Sequence, residues 1–279
     1  MYIFILFYIC DRIHEKYIRK GRIRRLKKFL ETAEIIQHEI ILPTIRRMVV
    51  AAPEIADTAV PGQFVNIHYT GGGTFLRRPF GIVAAKNGHI TIIYRIVGKG
   101  TEEMSRLTVG DVLSIEGPLG EGVFTVSDMP TLLAGGGVGL APLIFLAAQS
   151  PEPIVLIAGK TAVETKCWVP FFAPYAKKIY MTTDDGSAGI KGMATAALDE
   201  IFSHHLLQRI AVCGPTPMMK SVAQAAAVKK ISCEVSLEKR MACGIGVCLG
   251  CTGEYKNRDG RIRSARTVPC LPPRRCLHE

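Results

Sequence analysis

Two incompatible hydrophobic patterns meet at residues 128–130 (DMP), and no single sheet or bundle satisfies both. Upstream, from about residue 28 to 124, short β-rich runs such as QFVNIHY, ITIIYRIV and VLSIEG are separated by PG, NG and VGD turns. Strands of this kind with no long helical period predict a small antiparallel barrel. Downstream, TLLAGGGVGLAPLIFLAAQ reads as strand, Gly-rich turn and helix. PIVLIAG and RIAVCG read as buried strands, and GMATAALDEIF and TPMMKSVAQAAAVKK as helices. Alternation of that sort predicts a parallel sheet with helices on both faces. From about Ser236 the chain is rich in Cys, Gly and Arg, with little to build a core, and such a segment needs a staple. The expected fold is multi-domain: a β-barrel over residues 31–127, an α/β parallel-sheet domain over 128–235 and a small C-terminal segment over 236–279.

Residues 1–30 stand apart as an extension. MYIFILFYIC is a run of ten, too short for a bilayer span, which needs about 20 residues. It also lacks the basic lead and small-residue cleavage site of a signal peptide. The segment reads as a loosely ordered extension from a misassigned start, or as an interfacial anchor with an apolar tip and a basic shoulder. The net charge of +11 is concentrated at the ends. Residues 11–28 hold nine Lys/Arg against two acids, and residues 256–275 hold seven against one. The rest of the chain carries 19 basic against 21 acidic residues and has no basic stripe with interleaved aromatics, so nucleic acid is not an expected partner. Nine cysteines, an odd number, without an export signal predict a reducing, cytoplasmic setting.

In LLAGGGVGLAPL, a strand runs into Gly135, Gly136, Gly137 and Gly139 before a helix. Glycines let backbone N–H groups approach a phosphate, and the helix start adds a favourable field. The motif departs from G-x-G-x-x-G by placing Pro142 in the last position, where a first helical turn accepts it. A tight strand–helix turn with no ligand explains the same residues. In AVCGPTPMM a second strand ends in Cys213, Gly214 and Pro215. Ligands of open α/β sheets bind beyond the carboxyl ends of the strands, so these residues are expected on the same edge as Gly135 and its neighbours. Cys213 is otherwise a small buried hydrophobe. Asp184 and Asp185 contact a ribose or shape a turn.

In the barrel half, Arg77, Arg78 and Arg95 lie in otherwise apolar strands. A diphosphate matches the guanidinium fork, and surface carboxylates are the alternative partner. Near the end, EKRMACGIGVCLGC places Cys243, Cys248 and Cys251 in C-x4-C-x2-C spacing. That is the plant-type [2Fe–2S] arrangement, which requires a fourth, distant Cys; Cys270 and Cys276 are the candidates. Gly244, Gly246 and Gly250 permit close N–H···S contacts. Structural zinc is the rival, but the second Cys pair it normally uses is missing.

Taken in order, RRPFG, IYR…GT, AGGGVGLAP, CGPTPMM and EKRMACGIGVCLGC resemble the electron-transfer subunit of NAD-dependent (class B) dihydroorotate dehydrogenase, in the ferredoxin reductase superfamily, over roughly residues 31–270. The resemblance implies an FAD-binding barrel, an NAD-binding domain and a [2Fe–2S] segment. It also implies an FMN-containing catalytic subunit that oxidises dihydroorotate, two of each chain forming a heterotetramer. Carried over by position, it assigns Arg78, Pro79, Phe80, Gly81, Ile93, Tyr94, Arg95, Gly100 and Thr101 to FAD. Gly135, Gly136, Gly137, Gly139, Pro142, Cys213, Gly214 and Pro215 fall to NAD, with Cys213 near the nicotinamide, and Cys243, Cys248, Cys251 and Cys270 to the cluster. Gly81 stands where the family has Ser, and TVPCLPPRRCLHE is unlike the family's usual finish. A same-class alternative is the flavin/[2Fe–2S] subunit of an NADH-dependent ferredoxin:NADP or sulfide-type oxidoreductase. A zinc-stabilised nucleotide-binding regulator is the alternative of another class.

Overall fold

The computed structural model describes residues 7–8, 27–69, 73, 75–120, 123–237, 241–248, 250–256, 262–266 and 275–276. Those at 7–8, 252–256, 262–266 and 275–276 are described by strand pairing alone. After a two-residue strand β1 (Phe7–Tyr8) come β2 (Phe29–Leu42), β3 (Ile45–Ala51), β4 (Phe64–His68), β5 (Arg78–Lys86), β6 (His89–Arg95) and β7 (Val112–Leu119). The last six close an antiparallel barrel in the order β2-β3-β6-β5-β4-β7. The first barrel strand thus begins at Phe29, paired with Gly117, two residues ahead of the expected boundary. β2 closes the barrel by pairing with β7 through Glu34 and with β3 from Ile35 onward. A register shift between Ile35 and Gln37 bends it from one partner to the other. Alternate side chains fill the interior, among them Met48, Val50, Ile67, Ile82, Ile90, Ile92, Leu113 and Ile115.

Two short helices interrupt the barrel, α1 (Pro53–Thr58) and α2 (Lys99–Met104). Neither follows from hydrophobic period, because six residues are too few to display one. Pro53 and Glu54 in the first turn were the legible signal for α1.

The second half runs β8 (Thr131–Gly136), α3 (Ala141–Ala147), β9 (Ile154–Gly159), α4 (Ala162–Lys166), α5 (Val169–Phe172), β10 (Lys178–Thr183), β11 (Ile190–Lys191), α6 (Leu198–His204), β12 (Arg209–Cys213), α7 (Thr216–Val228) and β13 (Ser232–Ser236). A hairpin of β14 (Thr252–Lys256) with β15 (Ile262–Arg266) and the two-residue strand β16 (Arg275–Cys276) complete the described chain. The sheet order is β1-β16-β13-β12-β8-β9-β10-β11, parallel from β13 to β11 and antiparallel at β16 and β1. The pair α4 and α5 has a local signal that hydrophobic patterning misses: the Thr161 hydroxyl accepts from the Glu164 N–H and starts α4. The structure gives residues 1–6 and 9–26 no description, so the anchor alternative lies outside the described residues. Among those described, no helix is long and apolar enough to cross a membrane.

Strand parity sorts the sheet's side chains onto two faces. Leu132, Ala134, Leu156, Ile210 and Val212 pack on α6 and α7. Leu133, Val155, Ile157 and Ala211 pack on α3 and α5, and that cluster also takes in Ile45, Val83 and Ile93 from the outside of the barrel. Each fully buried aliphatic side chain contributes about 1.5–3 kcal/mol. The barrel and sheet are therefore joined through a shared core with α3 at its centre.

Candidate functional site

The barrel residues singled out in the sequence go to different places. Arg78 opens β5, and its guanidinium lies over Gly100 in the first turn of α2. A Cβ at Gly100 would come within 2.5 Å of the Arg78 Cζ and 2.6 Å of Nη2, so only glycine leaves room for this approach. The same guanidinium donates to the Leu76 carbonyl. A charged fork beside a helix start suits a phosphate oxygen. Thr101 is buried, and its hydroxyl is fully engaged within its own turn. It accepts from the Val97 N–H (2.9 Å) and the Gly98 N–H (3.2 Å) and donates to the Gly98 carbonyl (2.9 Å). Its role in the structure is to shape the turn that presents Gly100.

Arg77 is engaged by groups of the barrel itself. It donates to the Ser114 carbonyl and hydroxyl, both at 2.9 Å, and to the Asn66 carbonyl at 3.4 Å, bracing β4 against β7. On β6, Ile93 enters the shared core, Tyr94 the barrel interior and Arg95 the solvent edge. Tyr94 contacts His38 at 3.0 Å, and the other ring nitrogen of His38 lies 2.7 Å from the Leu107 carbonyl. A carbonyl only accepts, so Nδ1 of His38 donates there, and the Tyr94 hydroxyl is the donor to Nε2. Burial raises the Tyr94 phenol well above its usual value, which keeps it a donor. Phe80 tilts against its ring at 5.4 Å. Tyr94 and Ile93 therefore supply packing behind the β5–β6 surface, with the exposed Pro79 and Arg95 at its face.

Gly81, in place of the family's Ser, faces α3: a Cβ there would lie 3.4 Å from the Pro142 Cβ. β5 and the start of α3 thus touch at these two residues.

The glycines of the β8 turn divide by role. Cβ atoms at Gly135 and Gly136 would strike Leu140 (2.6 Å) and the Met218 sulfur (2.9 Å), so these residues serve strand–helix packing. Gly139 meets backbone: a Cβ would stand 2.5 Å from the Gly214 Cα and 2.7 Å from its N. Gly137 is different, with φ +58 and, as its near neighbour, only the Arg95 Nη2 at 3.4 Å from a Cβ position. It is the one partly exposed glycine of this turn. Register sets Cys213 opposite Gly135 on the neighbouring strand, and Gly214 and Pro215 follow at the same edge. Cys213 is 1% exposed and packs in the core shared with the barrel. Asp185 accepts from the Ser187 N–H (2.9 Å) and hydroxyl (2.6 Å), which hold its carboxyl below the usual range. It shapes its turn, and Asp184 is exposed beside it.

Beyond β13 lies the cysteine loop. Gly244 and Gly246 have φ +69 and +83, a backbone that L side chains rarely adopt. The loop folds so that the Cys248 N–H points at the Cys243 sulfur (3.4 Å) and the Gly250 N–H at the Cys248 sulfur (3.5 Å). Backbone N–H groups, that of Cys248 foremost, lower the Cys243 thiol to about 6. That donor set suits a thiolate ligand. Cys251 is buried. Among the described residues no three His, Cys, Asp or Glu converge at metal-binding separation. Cys270 lies outside the described residues; Cys276 lies in β16, opposite Phe7 of β1. The loop is tied to the barrel by Asn66 of β4, whose side-chain amide donates to the Cys243 carbonyl at 3.1 Å. Reading by motif passed over Asn66, although a polar residue inside the buried run QFVNIHY was a visible signal.

Comparison with known proteins agrees with this layout. Residues 32–124 match the oxidoreductase FAD-binding domain family, and residues 238–270 match the iron–sulfur cluster binding domain of dihydroorotate dehydrogenase B. The dihydroorotate dehydrogenase B (NAD(+)) electron transfer subunit of Desulforamulus reducens is 34% identical over 244 residues, covering 84% of this chain and 92% of that one. Its counterpart from Caldanaerobacter subterraneus is 36% identical over 200 residues, covering 72% and 79%. Among solved structures, a chain of an NADH-dependent reduced ferredoxin–NADP oxidoreductase superposes with a TM-score of 0.76 at 28% identity, covering 88% of each chain. A flavin-type barrel, a parallel nucleotide sheet and a cluster loop in this order, with relatives alike over most of their length, place the chain in the family of dihydroorotate dehydrogenase B (NAD(+)) electron transfer subunits.

Proposed function

We propose that this chain carries FAD and a [2Fe–2S] cluster and passes electrons from an FMN-containing catalytic subunit, which oxidises dihydroorotate in pyrimidine biosynthesis, to NAD+. The observation that carries the reading is a cluster-binding segment of the dihydroorotate dehydrogenase B type on the same chain as the barrel and the nucleotide sheet. FAD supplies the needed chemistry when bound, because it exchanges hydride with NAD(H) and single electrons with a cluster.

The chain's own residues arrange the rest. Arg78 and the α2 turn at Gly100 hold the flavin diphosphate, with Thr101 fixing that turn. Pro79, Phe80, Gly81, Ile93, Tyr94 and Arg95 build the surface beside it. The Gly137 turn admits the dinucleotide, and Gly135, Gly136, Gly139, Pro142, Cys213, Gly214 and Pro215 frame it. Cys243, Cys248, Cys251 and Cys270 ligate the cluster. The family match ends at Cys270, and Cys276 sits in a strand paired between β13 and β1, which favours Cys270 as the fourth ligand. The cluster loop meets the catalytic subunit, in a cytoplasmic heterotetramer of two chains of each kind. Units at 31–127, 128–235 and 236–279 bind flavin, nucleotide and cluster in turn.

The purified chain is expected to show flavin absorbance and about two irons per chain. It should reduce dyes with NADH and leave dihydroorotate untouched until the catalytic subunit is added. Cys270→Ser should lose the cluster spectrum and keep the flavin, while Cys276→Ser keeps both. A colourless zinc protein, or unaided dihydroorotate oxidation, would sink the proposal. The structural likeness at a TM-score of 0.76 supports a second reading, delivery to a ferredoxin-type oxidoreductase partner. Identification of the co-purifying large subunit separates the two.

Gly100→Ala isolates the Arg78 cradle. The new methyl displaces only the mobile end of an arginine, so thermal stability should hold. Loss of a charge-assisted contact of about 1.5–3 kcal/mol lowers FAD affinity roughly 10- to 100-fold. Flavin titration of the apoprotein measures it, and unchanged affinity would remove Arg78 from the site.

A further inference from the structure

Asn66 is 2% exposed and sits at a junction. Its strand neighbours are Pro79 on β5, inside the flavin segment, and Glu116 on β7. Its carbonyl takes the Arg77 guanidinium, which also grips Ser114, so its place in the barrel is fixed from both sides. Its side chain crosses 177 residues of sequence to the Cys243 carbonyl. The contact is close enough to dictate the next residue: a Cβ at Gly244 would come within 3.0 Å of the Asn66 Cγ and 3.2 Å of Oδ1. The backbone held here is the start of the turn whose N–H groups converge on the Cys243 sulfur.

We propose that Asn66 is a positioning residue that holds the cysteine loop against the flavin strand and so sets electron exchange between flavin and cluster. The proposal rests on the flavin–cluster reading above. Two linked effects follow from the geometry. Asn66 fixes where the loop stands relative to Pro79, and through the Cys243 carbonyl it fixes the direction of the N–H groups that tune the sulfur. Hydrogen bonds to the sulfurs and solvent exposure set a cluster's potential, and loss of such supporting partners typically costs 10- to 100-fold. An asparagine that merely satisfied a buried carbonyl would affect stability and neither of these properties.

The test uses the full chain with flavin and cluster bound, mixed with NADH in a stopped-flow spectrometer. In Asn66→Leu, which keeps the volume and loses the donor, the ratio of the cluster-reduction rate to the flavin-reduction rate should fall about tenfold. The electron paramagnetic resonance spectrum and midpoint potential of the reduced cluster should also move. Asn66→Ser shortens the side chain and removes the amide donor while keeping a polar group, so it serves if Asn66→Leu does not fold. It should give the same two changes. Wild-type ratio, spectrum and potential in both single variants would overturn the assignment of Asn66. A wild-type chain that holds neither flavin nor iron would overturn the flavin–cluster reading itself, and this inference with it.

Discussion

Glu234→Ala is expected to lower stability by about 3–5 kcal/mol, the largest loss from any single side chain described above. Glu234 is 1% exposed on β13, and its Oε2 lies 2.5 Å from the Nη2 of Arg209 on β12, itself 5% exposed. The same carboxylate accepts from the Thr125 hydroxyl (2.6 Å) and N–H (3.1 Å). It therefore ties the segment between barrel and sheet to the strand that leads into the cysteine loop. Removing it leaves a guanidinium buried without its counter-charge and two Thr125 donors without their acceptor, and that desolvation, more than the lost attraction, makes the cost large. For a chain of this size the loss corresponds to roughly a 10 °C fall in Tm. Scanning calorimetry on the cofactor-loaded protein measures it. Replacing both partners with apolar residues, Arg209→Met with Glu234→Leu, should recover most of the loss; if the double variant is as unstable as Glu234→Ala, the uncompensated charge is not the cause.

Gly139→Ala is expected to damage structure and nucleotide binding together. The added methyl would stand 2.5 Å from the Gly214 Cα, 2.7 Å from its N and 2.9 Å from the Cys213 carbonyl carbon, and none of these atoms can rotate aside. The β8 and β12 turns must separate, at about 1–3 kcal/mol or more. Because β8 and β12 are hydrogen-bonded neighbours through Cys213 and Gly135, the strain reaches the edge where the dinucleotide is proposed to bind. NADH titration should show at least a tenfold weaker Kd, a difference of about 1.4 kcal/mol. Gly137→Ala serves as the contrast: it strains a backbone at φ +58 but meets no main chain, so it should cost less stability. Equal effects in the two variants would mean that backbone conformation, not close approach, decides the need for glycine at 139.

The comparison of these two glycines shows where sequence reading succeeds and stops. GGGVG announces a strand–turn–helix, but three of its glycines serve packing and one faces outward, and that division depends on Leu140, Met218 and Gly214 arriving from other elements. Arg77 and Arg78 are adjacent in sequence and alike in chemistry. One braces the barrel through Ser114 and the other stands over Gly100, because successive side chains on extended chain point opposite ways and meet different neighbours. Thr101 belongs to the flavin motif, yet its hydroxyl is absorbed by its own turn.

The sequence by itself determined the barrel, the alternation of strands and helices, the two glycine-containing strand-to-helix turns and the cysteine loop. Each of these rests on short-range rules: side-chain period, turn chemistry and ligand spacing act within a few residues. Only the tertiary structure decided that Arg209 meets Glu234, that Gly139 abuts Gly214 and that Asn66 holds Cys243. Those contacts depend on which strands become neighbours and in what register. That choice is made by the burial of the whole core, and no local stretch of the chain encodes it.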